Sequence, residues 1–264
     1  MSPVFWQNIM QVDFYPIPVY NLNKLIRTKM AFDIKMAELF FGNIRLDRST
    51  DAILGVSTFK TAQSAQLTLS PLTCSGMGSS PNYEVVLKRP YINDFPANEP
   101  AGPPFSRFAL KDESNILYCK ANVLYWAKAL LKMTYEFIDH AIDCAKEPPP
   151  FNIPCLCFVD AGLLLAYSNA PAITEGGLPL VKTSGIISMM YLGEELIPTP
   201  SDGKDFVKYI HNGDAAPCDL LDPDAENIAQ FLAFTQHVQY IKTGKQVYIS
   251  DYQGISVLIL DPSC

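Results

Sequence analysis

Two clusters of proline constrain this chain more than any other feature of its sequence. Five of its 21 prolines lie in residues 90–104, and residues 148–150 are three consecutive prolines. Because proline disrupts helix interiors and central strands, both clusters must lie between regular elements. Between them, residues 112–146 carry apolar side chains at spacings of three and four. This periodicity predicts one long helix, with Asp112 as its N-cap.

Strand patterns lie on both sides of this predicted helix. Residues 65–72 alternate in part between apolar and polar, residues 83–88 are rich in β-formers, and residues 155–167 predict one or two buried strands. Residues 234–241 and 246–250, joined by a short loop with a glycine, predict a β-hairpin. A mixed stretch at 22–41 is compatible with a further helix. Strands, a long helix and then strands predict an α+β protein.

Composition excludes several classes of protein. With 264 residues, 48% of them apolar and 18% charged, the chain can bury a core and is not intrinsically disordered. The net charge of −7 and the absence of any run of Lys or Arg argue against nucleic-acid and anionic-membrane partners. The start has no signal-peptide pattern, and the most apolar stretch is too short to cross a bilayer. Seven irregularly spaced cysteines predict free thiols and a cytoplasmic protein.

One glycine-rich segment has to be weighed as a phosphate loop. Gly76-Met77-Gly78 lacks the third glycine of a dinucleotide fingerprint, and the chain contains no Walker A sequence. We therefore interpret this segment as a loop without a phosphate-binding role.

The strongest chemical signal lies near the C-terminus. Asp251 and Gln253 stand two residues apart where a strand is predicted to end, so their side chains are expected to point the same way. Two converging oxygen donors suit Mg²⁺. A further carboxylate, Asp261, follows ten residues after Asp251 and precedes a proline. From these residues alone, the alternative is a turn followed by the start of a loop.

The wider pattern resembles the alpha-kinase family of atypical Ser/Thr protein kinases. In that family an Asp-x-Gln-Gly is followed by an Asp-Pro ten residues on, as at Asp251 and Asp261, and a histidine lies fourteen residues upstream, as His237 does. Further similar segments occur in the family's order, as in fungal alpha-kinase-like proteins: the glycine turn before Lys60, the lysine strand with Lys88, the hinge Glu194-Glu-Leu-Ile197, and Phe206-Val-Lys208-Tyr209.

The resemblance implies a two-lobed protein-kinase-like fold. It divides the chain into an N-terminal extension over 1–49, a nucleotide-side lobe over 50–192 and a catalytic lobe over 193–264. It also implies a cofactor pair, ATP and Mg²⁺, and a partner, a protein substrate with a Ser or Thr hydroxyl.

The family's functional roles map onto residues of this chain. Lys88 would bind the ATP phosphates, Lys60 would contact the bound nucleotide, and Lys208 would lie near it. Glu194 and the backbone of Leu196 and Ile197 would hold adenine. Asp251 and Gln253 would bind Mg²⁺, and Asp261 would orient the substrate hydroxyl and accept its proton.

The chain departs from the family at its C-terminal end. Only three residues follow Asp261, whereas the family continues with a glycine-rich loop and a His/Cys cluster that binds structural zinc. His237 thus has the position of a family zinc ligand without its partners, so no zinc and an incomplete C-terminal lobe are expected. Two interpretations stay open: an ATP-dependent Ser/Thr kinase, with full or reduced activity, and a non-catalytic pseudokinase or nucleotide-binding scaffold.

Overall fold

The α+β class predicted from the sequence is confirmed by the order of the elements. A computed structural model describes residues 8–46, 53–57, 60–92, 106–151, 153–167, 186–197 and 206–255. Within these ranges the elements are β1 (Asn8–Pro16), α1 (Leu22–Thr28), β2 (Phe40–Leu46), β3 (Ile53–Val56), β4 (Lys60–Leu69), β5 (Tyr83–Pro90), α2 (Leu110–Cys144), β6 (Ala161–Tyr167), β7 (Ile187–Glu195), β8 (Phe206–Lys208), α3 (Pro223–Lys242) and β9 (Gln253–Ile255).

The chain divides into two compact units. The first comprises Met1–Ile17, Phe32–Val123 and Val159–Leu196, and the second comprises Pro18–Ala31, Leu124–Phe158 and Ile197–Cys264. The boundary between them falls inside α2. Each unit has its own buried cluster of apolar side chains.

A closed antiparallel barrel forms the first unit. Six strands follow one another in the order β2-β1-β6-β7-β5-β4, and β4 pairs back with β2, so the sheet closes on itself. β3 pairs with the outer part of β4. Closure leaves few unpaired strand edges, and it directs every second side chain into a shared interior. The side chains packed there include Val12, Phe14, Ile44, Leu67, Leu69, Val85, Leu87, Leu164 and Tyr191.

The second unit is built around helices. Its buried cluster joins Ile228, Ala229 and Leu232 of α3 to Tyr209, Ile210 and Tyr252 near the short strands β8 and β9. Asp222 caps α3, its side chain accepting from the Asp224 N–H at 3.4 Å, and Pro223 takes the first turn, where no amide hydrogen is required.

The helix predicted over residues 112–146 is present with small shifts at its ends. α2 begins at Leu110, so Asp112 lies in the first turn with Glu113 and is not the N-cap. Both carboxylates are favourable there because the N-terminus of a helix carries a partial positive charge.

The predicted C-terminal hairpin is wrong. Residues 234–241 belong to α3, and residues 246–250 form no strand. β-Branched and aromatic residues in this segment mimic a strand, but buried positions recur at helical spacing: Ala225, Ile228, Ala229, Leu232, Thr235, Gln236 and Gln239. Tertiary packing of this face outweighs the local strand preference.

Two other predicted elements are shorter than expected. In the stretch 22–41 only α1 is helical, because Lys29 takes a left-handed conformation (φ 48°) and its N–H closes the helix onto the Ile26 and Leu25 carbonyls. In the stretch 155–167 only β6 is a strand.

Residues 8–46, assigned to an N-terminal extension in the sequence, supply β1 and β2 of the barrel.

Candidate functional site

Lys88 and Glu194 form an ion pair on the outside of the barrel. They lie on neighbouring strands, where β5 pairs with β7 in a register that sets Val86 opposite Glu194 and Lys88 opposite Leu192. Since Leu87 points into the interior, alternation along the strand directs Lys88 outward. The side chains are 22% and 17% exposed, so water screens this pair only in part.

Lys60 and Leu196 lie near this pair in the same unit. Lys60 is exposed at the start of β4, two residues before Ala62, which pairs with Lys88. The Lys60 carbonyl accepts from the Ser57 N–H at 2.9 Å, which links the start of β4 to the residue that follows β3. The Leu196 N–H, a candidate adenine contact, donates to the Glu84 carbonyl at 3.4 Å.

The glycine-rich loop is organised around a carboxylate of the chain itself. The Met77 N–H donates to Asp160 Oδ2 at 3.3 Å, and a methyl group at Gly76 would overlap that carboxylate. The backbone carbonyl of Asp160 accepts in turn from the Glu195 N–H at 2.9 Å. The Asp160 carboxylate therefore lies against the backbone of this loop.

Burial and charge favour the neutral phenol of Tyr83 beside this loop. Its hydroxyl donates to Glu195 Oε1 at 2.9 Å. Burial first, and then the Glu195 hydrogen bond and charge, raise the pKa of Tyr83 above its ordinary value of 10.0.

Three further predicted site residues come together in the second unit. Lys208 forms an ion pair with Asp251, and the β8–β9 register sets Lys208 opposite Gln253. The Lys208 and Asp251 side chains are 33% and 45% exposed. The expectation that a strand ends at Asp251 is wrong, because Asp251 has a left-handed backbone (φ 67°) and β9 begins only at Gln253.

Side chains of α3 hold the segment that leads to Asp251. Gln239 Oε1 accepts from the Ile249 N–H and Gln236 Nε2 donates to the Ile249 carbonyl, both at 2.8 Å. At the C-cap of α3, the Thr243 hydroxyl donates to the Val247 carbonyl at 3.0 Å and accepts from the Val247 N–H at 3.2 Å. The helix thus supplies the hydrogen bonds that a partner strand would have provided. These positions were missed from the sequence, although their spacing of three and four was visible.

Tyr252 anchors the residue next to Asp251. Its ring is buried against Phe158, with centroids 6.4 Å apart, and its hydroxyl lies 3.3 Å from the Thr235 hydroxyl and 3.4 Å from Gln239 Nε2. Its carbonyl accepts from the Tyr209 N–H at 2.9 Å. Burial raises the pKa of Tyr252, so the hydroxyl stays protonated at neutral pH.

The other predicted residues join neither group. His237 lies on the exposed side of α3, and in the described ranges no cluster of three or more His, Cys, Asp or Glu side chains could hold a metal. Asp261 lies outside the described residues. The six cysteines within them form no disulfide bond.

A cavity of about 290 Å³ in the second unit lies apart from these residues. It is lined by the end of α2, residues 147–151 and two phenylalanines of α3, with no predicted site residue among them. None of α1, α2 and α3 is long and apolar enough to cross a membrane.

Comparisons with known proteins find similarity only among solved structures; no family model and no curated protein matches the chain. The apoenzyme alpha-kinase domain of myosin-II heavy chain kinase A is 12% identical (TM-score 0.48), with 96% of this chain and 81% of that chain covered. Its complex with ADP is 14% identical (TM-score 0.41; 97% and 80% covered). An inactive variant in complex with ATP is 13% identical (TM-score 0.43; 96% and 80% covered). These structures are domains of the family that the sequence motifs resemble.

Proposed function

We propose that this chain binds Mg-ATP and transfers the γ-phosphoryl group to a Ser or Thr hydroxyl of a protein substrate, as an alpha-type protein kinase. The observation that carries the proposal is the Lys88–Glu194 pair, which joins the lysine-strand and hinge motifs on adjacent barrel strands. A half-buried ammonium held on a rigid strand is a pre-positioned partner for phosphate.

The nucleotide would be held by residues of the barrel. Lys88 and Lys60 would contact the phosphates, and the Lys88 ammonium would exchange part of its contact with Glu194 for a phosphate oxygen. The Leu196 N–H is already engaged with Glu84. The groups that remain to bind adenine would therefore be Glu194, the Leu196 carbonyl and the backbone of Ile197.

Asp251 and Gln253 supply the donor types that Mg²⁺ prefers, a carboxylate and an amide oxygen. Bound magnesium would neutralise the charge that develops on the phosphates. In this structure Lys208 pairs with Oδ1 of Asp251, so a bound metal would compete with this ion pair for the carboxylate. In the transfer step the oxygen of the substrate hydroxyl would bond to the γ-phosphorus, and Asp261 would accept the proton of that hydroxyl. The bond between the γ-phosphorus and the β,γ-bridging oxygen would break, and ADP would leave.

Calorimetry with Mg-ATP tests the nucleotide role of Lys88. We expect Lys88→Ala to weaken binding about 10- to 150-fold through the loss of a charge-assisted contact worth roughly 1.5–3 kcal/mol. Lys132→Ala, which removes an exposed lysine of α2, is the matched control and should bind like the wild type. Equal affinity of Lys88→Ala and the wild type would exclude Lys88 from the nucleotide site.

The exposed Lys208–Asp251 pair favours a second candidate, a nucleotide-binding scaffold that does no chemistry, because an aspartate paired with lysine is a poorer metal ligand. The Asp251→Asn variant distinguishes the kinase from the scaffold. Asparagine is chosen because it tolerates the left-handed backbone at this position, which alanine would strain. If the chain is a kinase, the wild type phosphorylates a generic basic protein with magnesium and Asp251→Asn does not. A scaffold binds ATP alike with and without magnesium, and both proteins are inactive.

A further inference from the structure

We propose that Glu113 and Arg89 are positioning residues for Lys88, so that the start of α2 sets how well the lysine meets phosphate. This inference rests on the nucleotide role of Lys88 proposed above. Glu113 belongs to no motif that the sequence resemblance supplies, and Arg89 lies in the lysine-strand motif without a role assigned to it there.

The pair is a buried fork between a strand and a helix. Arg89 Nε lies 2.5 Å from Glu113 Oε1 and Arg89 Nη2 lies 2.9 Å from Glu113 Oε2, so both carboxylate oxygens are engaged. The Glu113 side chain is 1% exposed and that of Arg89 17%. A two-bond fork fixes orientation as well as distance, which a lysine in the place of Arg89 could not do.

Arg89 also contacts the strand that carries Glu194. Its guanidinium carbon lies 5.7 Å from the centre of the Tyr191 ring on β7. One side chain therefore links the first turn of α2, the end of β5 and the middle of β7. Lys88 is the residue next to Arg89 and Glu194 is three residues beyond Tyr191, so the fork constrains both strands beside their ion pair.

A second guanidinium fixes the same end of the barrel. Arg107 donates to the Thr61 hydroxyl at 3.2 Å and to the Pro90 carbonyl at 3.1 Å, and Thr61 pairs with Arg89 across β4 and β5. The Glu113 carboxylate therefore offsets charge in a place where two guanidinium groups approach each other. Its removal leaves Arg89 without its partner, and β5 is expected to shift to expose that charge.

Such a shift would reach Lys88 directly. Arg89 and Lys88 are consecutive, so a rotation of the strand that frees the guanidinium also turns the ammonium away from its outward direction. Charge-assisted contacts weaken when their geometry is lost, and functional groups need positioning within about 0.5 Å. The contribution of Glu113 is therefore expected to appear only with ligands that carry phosphate.

Paired calorimetric titrations with Mg-ATP and with adenosine test this inference in the full chain. We expect Glu113→Gln and Arg89→Lys each to weaken Mg-ATP binding by about 2- to 30-fold and to leave adenosine affinity unchanged. In the Lys88→Ala background the additional loss should vanish, because the fork acts through Lys88. Tyr167→Phe, which loses a hydrogen bond to Asp13 elsewhere on the barrel, is the control for general destabilisation and should alter neither affinity.

The outcomes separate this inference from the proposed function. If Lys88→Ala binds Mg-ATP like the wild type, the proposed function fails and the inference fails with it. If Lys88→Ala weakens Mg-ATP binding but Glu113→Gln and Arg89→Lys do not, only the inference is overturned. An equal loss of Mg-ATP and adenosine affinity would also overturn it, since it would show a structural role alone. Thermal unfolding identifies a variant that does not fold. If Glu113→Gln does not fold, the titrations of Arg89→Lys, which keeps the charge, decide whether the inference holds.

Discussion

Two lysine–carboxylate pairs carry the candidate chemistry, and they are built differently. Lys88 and Glu194 project from two long strands of a closed barrel, where eight consecutive register pairs tie β5 to β4 and four tie it to β7. Lys208 lies on a three-residue strand, and Asp251 lies just before another, in a left-handed conformation. The first pair is half-buried and the second is the more exposed.

The difference shows that the same chemical pair can have two structural causes. Barrel register fixes the first pair, so its geometry should tolerate changes at the surface and respond to changes in the interior. The second pair depends on side-chain hydrogen bonds from α3 to residues 247–249 and on one unusual backbone conformation. It should therefore respond to individual polar substitutions.

The largest expected effect comes from the barrel interior beneath Lys88. Leu87→Ala should lower the free energy of unfolding by about 2–5 kcal/mol, because Leu87 is 1% exposed and its loss leaves a cavity. Urea unfolding measures this. Val86→Ala, on the opposite face of the same strand, is the control and should cost less. Equal costs would remove the distinction between the interior and outer faces of the barrel.

Closure of the barrel at β2 and β4 is tested by two glycines. A methyl group at Gly42 would overlap the Thr68 carbonyl oxygen of the paired strand, whereas one at Gly55 meets nothing within 4 Å. Gly42→Ala is therefore expected to cost about 1–3 kcal/mol, and Gly55→Ala to be neutral or slightly stabilising. Thermal unfolding of both variants decides, and a harmless Gly42→Ala would show that β2 and β4 are not this close.

The second unit is tested through two buried tyrosines of one cluster. The Tyr252 hydroxyl has partners in Thr235 and Gln239, whereas the Tyr209 hydroxyl has no hydrogen-bond partner among the described residues. Tyr252→Phe should therefore lower the free energy of unfolding by about 1 kcal/mol, and Tyr209→Phe should leave it unchanged or raise it. Chemical denaturation measures the change in the free energy of unfolding of each variant and so distinguishes a loss from a gain. A loss at Tyr209 would indicate a partner outside the described residues.

The smallest effect concerns salt. Lys208→Met should cost about 0.2–1 kcal/mol at low ionic strength, and this cost should disappear at 1 M salt because the pair is exposed. Lys88→Met removes a less exposed pair and should keep more of its cost at high salt. Unfolding measured at 0.05 M and 1 M salt compares them, and identical salt dependence would contradict the difference in burial.

Where the sequence predicted well, local pattern and tertiary structure agree. The proline clusters and apolar periodicity place α2 within two residues of its observed ends, and β-rich composition locates β5. Prediction failed for α3 because residues such as Phe234, Val238 and Tyr240 favour strands, whereas the buried positions of this segment recur at helical spacing. The residues that begin this helix, Asp222 and Pro223, precede the segment by more than ten positions.

The sequence by itself determined the α+β class, the long helix and the list of candidate residues, because periodicity, proline and motif order are local properties. Tertiary structure alone decided which candidates meet. Pairing of β2 with β4 closes the barrel, and β5–β7 register brings Lys88 to Glu194 from 106 residues away. The fork between Arg89 and Glu113 has the same origin, since a buried charge selects its partner by position in space rather than by spacing along the chain. Hydrogen bonds from α3, not strand pairing, hold the segment that leads to Asp251, because helix packing places the Gln236 and Gln239 amides against its backbone.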